Sequence, residues 1–196
     1  MFEKLNYQRH QVFKKRHYIA LIKSVTAFCT EFFGYKIKPY LFESENEENT
    51  PMCIYRSHLR KNRYAIFYDY NMFKKIFGHL DFEGQQAYTT LLIAHEMRHY
   101  YQMRQIDAKA PNEDLELVEE WRKDEEIPIC KFKSEEELYE HYKRPMEIDA
   151  ELFAYCFVAK TLEIRVSLSY INDYYINDLK EYYFKLFQEI DEELFS

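Results

Sequence analysis

Leu91-Leu92-Ile93-Ala94-His95-Glu96-Met97-Arg98-His99-Tyr100-Tyr101-Gln102 is the stretch on which the reading of this chain turns. From Gln85 to Gln105 there is neither Gly nor Pro. At helical periodicity Ile93, Ala94, Met97 and Tyr101 point away from the face that carries His95 and His99. Residues four apart share a face, so the two imidazoles of this HExxH motif can converge on one metal ion. Glu96 projects beside that face, where it can reach a water on the metal but not easily the metal itself. Two neutral nitrogen ligands, one base and an open coordination position describe a hydrolytic zinc site. The plain alternative is a pair of surface histidines on an amphipathic helix, and a third ligand decides against it.

That ligand is sought on a second helix. Metzincin geometry is excluded, because Gln102 and Gln105 stand where it needs glycine and histidine. The segment Arg144-Pro145-Met146-Glu147-Ile148-Asp149-Ala150-Glu151-Leu152-Phe153-Ala154 fits instead. Pro145 suits the first helical turn. Glu147 and Glu151 share one face, with Ile148, Leu152, Tyr155 and Ala159 expected as the apolar stripe. Glu147 is assigned as the third metal ligand. Glu151 is assigned as the acceptor that holds the N–H of a ligating histidine and fixes its tautomer. Asp149 points roughly opposite to Glu147. Taken alone, the two glutamates would read as a solvated helix face.

The pair of segments LLIAHEMRHYYQ and RPMEIDAELFA resembles the ImmA/IrrE-type zinc metallopeptidases, whose pattern is a strand, a helix with HExxH, and a helix carrying Glu-x-x-Ala-x-x-Phe-Ala. Here the last part is Glu147, Ala150, Phe153 and Ala154. The resemblance implies a zincin fold, His95, His99 and Glu147 as zinc ligands, and Glu96 as the catalytic glutamate. Glu151 falls where the family usually has asparagine, and Arg98 where many members have glycine. The wording HxxRHYYQ with a later RPxEIDA is similar to small phage or mobile-element proteins. ImmA-type relatives cut repressor proteins, so a repressor or other regulator is the substrate class implied by analogy.

The 196 residues suit a single domain, 1–196, with residues 107–144 inserted between the two ligand helices. With 27 basic and 34 acidic residues the net charge is −7, which argues against direct nucleic-acid binding through the whole surface. Only 3 Gly and 5 Pro against 19 Tyr and 16 Phe favour a helix-rich, aromatic-packed core. Cys29, Cys53, Cys130 and Cys156 are widely spaced with no CxxC, which predicts reduced thiols. No signal peptide is expected, because Lys23 interrupts the first apolar patch, and no run approaches a bilayer span. A soluble, cytoplasmic protein with no membrane attachment is the expectation.

Outward from the motif, residues 8–33 read as an amphipathic helix through Tyr18, Ile22, Val25, Cys29 and Phe32, ended by Gly34. Tyr35 to Phe42 reads as a strand and Glu43 to Thr50 as a loop. Met52 to Leu59 and Arg63 to Tyr70 read as a hairpin around Arg60-Lys61-Asn62, and Gly78 to Gly84 as the link to the motif helix. Glu113 to Lys123 and Glu135 to Lys143 are short helix candidates, separated by the Ile127-Pro128 break. Ser167 or Ser169 can cap a final helix to about Glu193. The fold class is therefore α+β, by resemblance zincin-like, with a small and mostly antiparallel sheet packed on the HExxH helix. By resemblance, Arg63–Tyr70 or its hairpin partner is the strand that pairs with extended substrate.

The chemistry expected is zinc-dependent hydrolysis of a peptide bond in a protein substrate, with Glu96 moving the proton. Tyr139, Tyr142, Arg144 and Tyr155 are near enough in sequence to stabilise the oxyanion, and the sequence does not choose among them. His141 reads as a surface histidine. The alternative is a catalytically weak zincin-fold module that binds or regulates through a partner protein.

Overall fold

A computed structural model describes residues 12–44, 50–56, 63–126 and 134–163. Their order is α1 (Lys15–Phe32), β1 (Tyr40–Glu43), β2 (Met52–Arg56), β3 (Tyr64–Tyr68), α2 (Tyr70–Phe77), α3 (Phe82–Asp107), α4 (Leu115–Glu125), α5 (Glu135–Tyr142) and α6 (Pro145–Leu162). The architecture is α+β and helix-rich. The Arg60-Lys61-Asn62 turn, the Ile127-Pro128 break, Cys130 and the final helix expected from Ser167 or Ser169 lie outside the described residues.

α1 begins at Lys15 rather than at residue 8, because Val12–Lys14 are not helical and the Lys14 N–H donates to His17 Nδ1 at 3.0 Å. It ends as the sequence predicts. Gly34 adopts φ 72°, Tyr35 N–H donates to Thr30 O, and Gly34 N–H to Glu31 O, each at 2.9 Å. These two bonds satisfy the last carbonyls of the helix, and the left-handed residue between them favours glycine. The same bonds shorten the first strand, since the backbone from Tyr35 onward closes α1 before β1 starts at Tyr40.

The sheet is mixed rather than mostly antiparallel. Its order is β1-β3-β2, with β1 parallel to β3 (Tyr40↔Ala65) and β2 antiparallel to it (Met52↔Tyr68). The hairpin pairing of β2 and β3 leaves β3 one open edge. β1 fills that edge, which makes β3 central and β2 an edge strand. After β3 the chain enters α2, in a stretch between Tyr70 and Gly78 to which the sequence reading assigned no element. Asp69 accepts from the N–H groups of Asn71 and Met72 at 2.8 and 3.0 Å and so caps the new helix.

α3 is the axis of the molecule. Asp81 caps it by accepting from Gly84 N–H at 2.7 Å. Because α1, α6 and β2 all pack on it, it is buried on most of its circumference, including Leu91, Ile93, Ala94, Met97 and Tyr100. The principal core joins these to Tyr18, Ile22, Val25 and Cys29 of α1, Ile54 and Ile66 of the sheet, and Ala154 and Val158 of α6. A second cluster packs Trp121 and Val118 of α4 against Tyr101, Ile106 and Met146. The segment between the ligand helices is thus anchored through α4 to both of them.

α6 turns a different face inward from the one expected. Ile148, Leu152, Tyr155 and Ala159 are only partly buried, whereas Met146, Ala150, Ala154, Phe157 and Val158 are buried beside Glu147 and Glu151. Those two carboxylates occupy the inner face because the histidines of α3 face them. No described helix is long and apolar enough to cross a membrane. Cys29, Cys53 and Cys156 form no disulfide.

Candidate metal centre

Three side chains from two helices converge. His95 Nε2 lies 3.0 Å from His99 Nε2 and 3.4 Å from Glu147 Oε2, and His99 Nε2 lies 3.4 Å from Glu147 Oε1. Ligands held at 2.0–2.1 Å around a tetrahedral ion stand about 3.3 Å apart along each edge. The triangle already has that size, with two neutral-capable nitrogens and one carboxylate as donors. His95, His99 and Glu147 could hold a metal ion, and they are the group whose ligand atoms all lie within 4.8 Å of one another among the described residues.

Both histidines have a polar group behind them, hydrogen-bonded for His99 and at contact distance for His95. Gln102 donates through Nε2 to Met146 O at 2.9 Å and to Asp149 Oδ2 at 2.7 Å, which leaves Oε1 facing His99 Nδ1 at 2.7 Å. Gln102 Oε1 can only accept in this arrangement, so it takes the Nδ1–H of His99, and Nε2 is the nitrogen left to face the cluster and to bind a metal once it is free of a proton. Glu151 Oε1 lies 3.4 Å from His95 Nδ1, on the side away from the cluster. Glu147 and Glu151 are 9% and 4% exposed, which removes the solvated-face reading for both.

Asp149 does point away from the cluster, as its place on the helix requires, but it has a structural partner. Arg98 grips it with two bonds, Nε to Oδ2 at 2.8 Å and Nη2 to Oδ1 at 3.0 Å. The guanidinium also lies over the rings of Tyr101, Phe153 and Trp121 at 4.6, 5.6 and 5.7 Å. Arg98 thus fastens α3 to α6.

The first turn of α6 depends on a residue far from it in sequence. Arg144 occupies the N-cap position without a side-chain cap, and Pro145 has no N–H to give. Asp124 of α4 accepts from Met146 N–H at 3.0 Å and lies 3.6 Å from the Arg144 guanidinium. This carboxylate, 6% exposed, caps the helix in place of a local residue, one position before Glu147.

Electrostatics couple the cluster. Burial pushes the His95 imidazole down, but the carboxylates of Glu147, Glu151 and Glu96 outweigh it and hold its pKa up to about 10. His99 is raised for the same reason, with burial opposed chiefly by Glu147. Glu147 is also penalised by burial, yet the two imidazoles hold it well below the usual carboxylate range. Glu96 moves the other way. Burial raises it above an ordinary carboxylate, opposed by the two histidines and by a hydrogen bond from the backbone of Ile54. β2 is therefore the strand that faces Glu96, and it is the hairpin partner rather than the strand beginning near Arg63.

Two histidine-bearing segments meet here, not one. His141, near the end of α5, places Nε2 3.3 Å from Glu147 Oε1. The sequence offered no sign of this, because His141 belongs to no spacing shared with the motif. Among the tyrosines and arginine considered beside it, Arg144 turns to Asp124. Tyr142 is raised first by burial and then by Glu151, Glu147 and Glu96, so it lies within the field of the cluster. No protein-family model, no curated protein and no solved structure matches the chain.

Proposed function

We propose that this protein is a zinc-dependent metallopeptidase of the ImmA/IrrE type with a zincin fold, hydrolysing a peptide bond in a protein substrate. A repressor or other regulator is the substrate class by analogy. The observation that carries the reading is the His95–His99–Glu147 triangle with edges of 3.0, 3.4 and 3.4 Å beside a buried glutamate. Zinc is the favoured ion because two imidazoles and one carboxylate, with an open position, are its usual catalytic donor set. When bound, the ion supplies Lewis acidity, which acidifies water and polarises a carbonyl oxygen.

The chain's own groups do the rest. Glu96, 8% exposed and raised by burial, accepts a proton from the attacking water and returns it to the leaving amine as the C–N bond breaks. The Ile54 backbone orients that carboxylate toward the ligands. β2 lies at the end of the sheet order, so its outer edge is where an extended peptide would pair.

Glu96→Gln tests the reading. Zinc content by elemental analysis should equal that of the unaltered protein, and hydrolysis of a denatured protein mixture, read by new N-termini, should fall by at least a hundredfold. Unchanged hydrolysis would remove Glu96 as the base. Zinc binding with no hydrolysis by the unaltered protein would favour a regulatory module acting through a partner.

A further inference from the structure

We propose that His141 donates the hydrogen bond that stabilises the oxyanion, a role that rests on the hydrolase reading above. A peptide carbonyl attacked by water develops negative charge on oxygen as its π pair moves there. Glu96 handles only the proton, so the charge needs a fixed donor beside the ligands. Such a donor must stand at the rim of the metal site without joining it. His141 Nε2 meets that condition: it is 3.3 Å from the ligand oxygen Glu147 Oε1 and is not part of the set that converges on the metal position.

Position alone would be weak if the histidine were on a loose segment, and it is not. The His141 carbonyl accepts from Arg144 N–H at 3.1 Å at the corner between α5 and α6. Asp124 holds the other side of that corner through Met146 N–H and the Arg144 guanidinium. The side chain is 13% exposed, so the imidazole lies mostly out of water, where a hydrogen bond to an anion is strongest. Of the four candidates named from the sequence, Arg144 is committed to Asp124, and Tyr142 is the rival that the experiment below separates.

In the step itself, the His141 N–H bond to oxygen forms as the C–O π pair localises. It is relinquished as the carbonyl re-forms and the C–N bond breaks, with the amine leaving on the proton carried by Glu96. No proton need pass through His141. The segment between the ligand helices thereby supplies a catalytic residue rather than a surface excursion.

Cobalt(II)-loaded full-length protein tests this without a known substrate. Binding of inorganic phosphate, a tetrahedral anion with spare acceptor oxygens, and of ethanethiol, which reaches the metal alone, is read from the visible absorption of the cobalt. His141→Ala should weaken phosphate about ten- to a hundredfold, the worth of one hydrogen bond to a charged group. Ethanethiol and cobalt affinity should stay within about threefold, and His141→Gln, with an amide donor, should recover part of the loss. Phosphate binding unchanged in His141→Ala, or lost instead in Tyr142→Phe, overturns the assignment. So does an equal loss of cobalt affinity, which would make His141 a support for Glu147, and so does a cobalt-loaded site that takes ethanethiol but no phosphate. Failure of the unaltered protein to bind cobalt at all would instead sink the metallopeptidase reading.

Discussion

Arg98 and Asp149 are joined by two parallel hydrogen bonds, Nε to Oδ2 at 2.8 Å and Nη2 to Oδ1 at 3.0 Å, and this fork ties together the two helices that carry the candidate ligands. Planar guanidinium and carboxylate match edge to edge in that arrangement, and three aromatic rings pack around the cation. Arg98→Ala should lower stability by about 2–3 kcal/mol in urea unfolding. Arg98→Lys should recover only part, because an ammonium cannot form the fork. Full recovery by lysine would show that charge alone matters.

Gln102 links that fork to the ligands. It accepts from His99 Nδ1 and donates to Asp149 and Met146 O, so one amide reads the positions of both helices. Gln102→Leu keeps the volume roughly and removes all three bonds. Zinc affinity, measured by chelator competition, should fall about ten- to a hundredfold. Gln102→Glu retains an acceptor for His99 but sets a negative charge against Asp149, so it should be the less stable of the two variants. An unaltered zinc affinity in Gln102→Leu would mean that the His99 tautomer is fixed by other means.

What the sequence made legible was local. HExxH on a helix, Pro145 at a helix start, Glu147 one turn before Glu151, and Gly34 at a helix end each follow from spacing within a few residues. α2 escaped notice because Tyr70-Asn71-Met72-Phe73 continues the aromatic composition of β3, although Asp69 was an available cap signal. The inner face of α6 was misjudged because hydrophobicity was followed, when the ligands themselves had to face inward. Asp124 and His141 found partners that lie 22 residues on and on the next helix, and Gln102, although one turn from His99, makes its link to Asp149 across 47 residues. No periodicity reports contacts of that kind.

Asp124 gives the intervening segment a measurable purpose. As the only described side chain bonded to Met146 N–H, it caps α6 in trans. Asp124→Ala should cost about 1–2 kcal/mol in thermal or urea unfolding, the usual worth of an N-cap. Because Glu147 follows directly, zinc affinity should fall as well. Asp124→Asn can still accept from the N–H and should restore most of the stability, while losing the attraction to Arg144. If Asp124→Ala lowered neither quantity, α4 would have no part in holding the third ligand.

Acidity should act on the metal-free and zinc-loaded protein in opposite directions. Without metal, His95 is raised from 6.5 to about 10, so its contribution to stability is complete below pH 6.5 and is lost as pH rises through about 10. Glu147, held well below 4.5, contributes above pH 4.5 and loses that contribution only in stronger acid. Chelator-treated protein should therefore gain most from this cluster between about pH 4.5 and 6.5, and its melting temperature should decline from there toward pH 10. Zinc must displace the proton on His95, so the rise in melting temperature on adding zinc should grow with pH over the same interval. Glu147→Gln removes the carboxylate that raises both imidazoles and should flatten the slope of the metal-free protein. A zinc-induced shift independent of pH between 6.5 and 10 would mean that His95 carries no proton for the metal to expel.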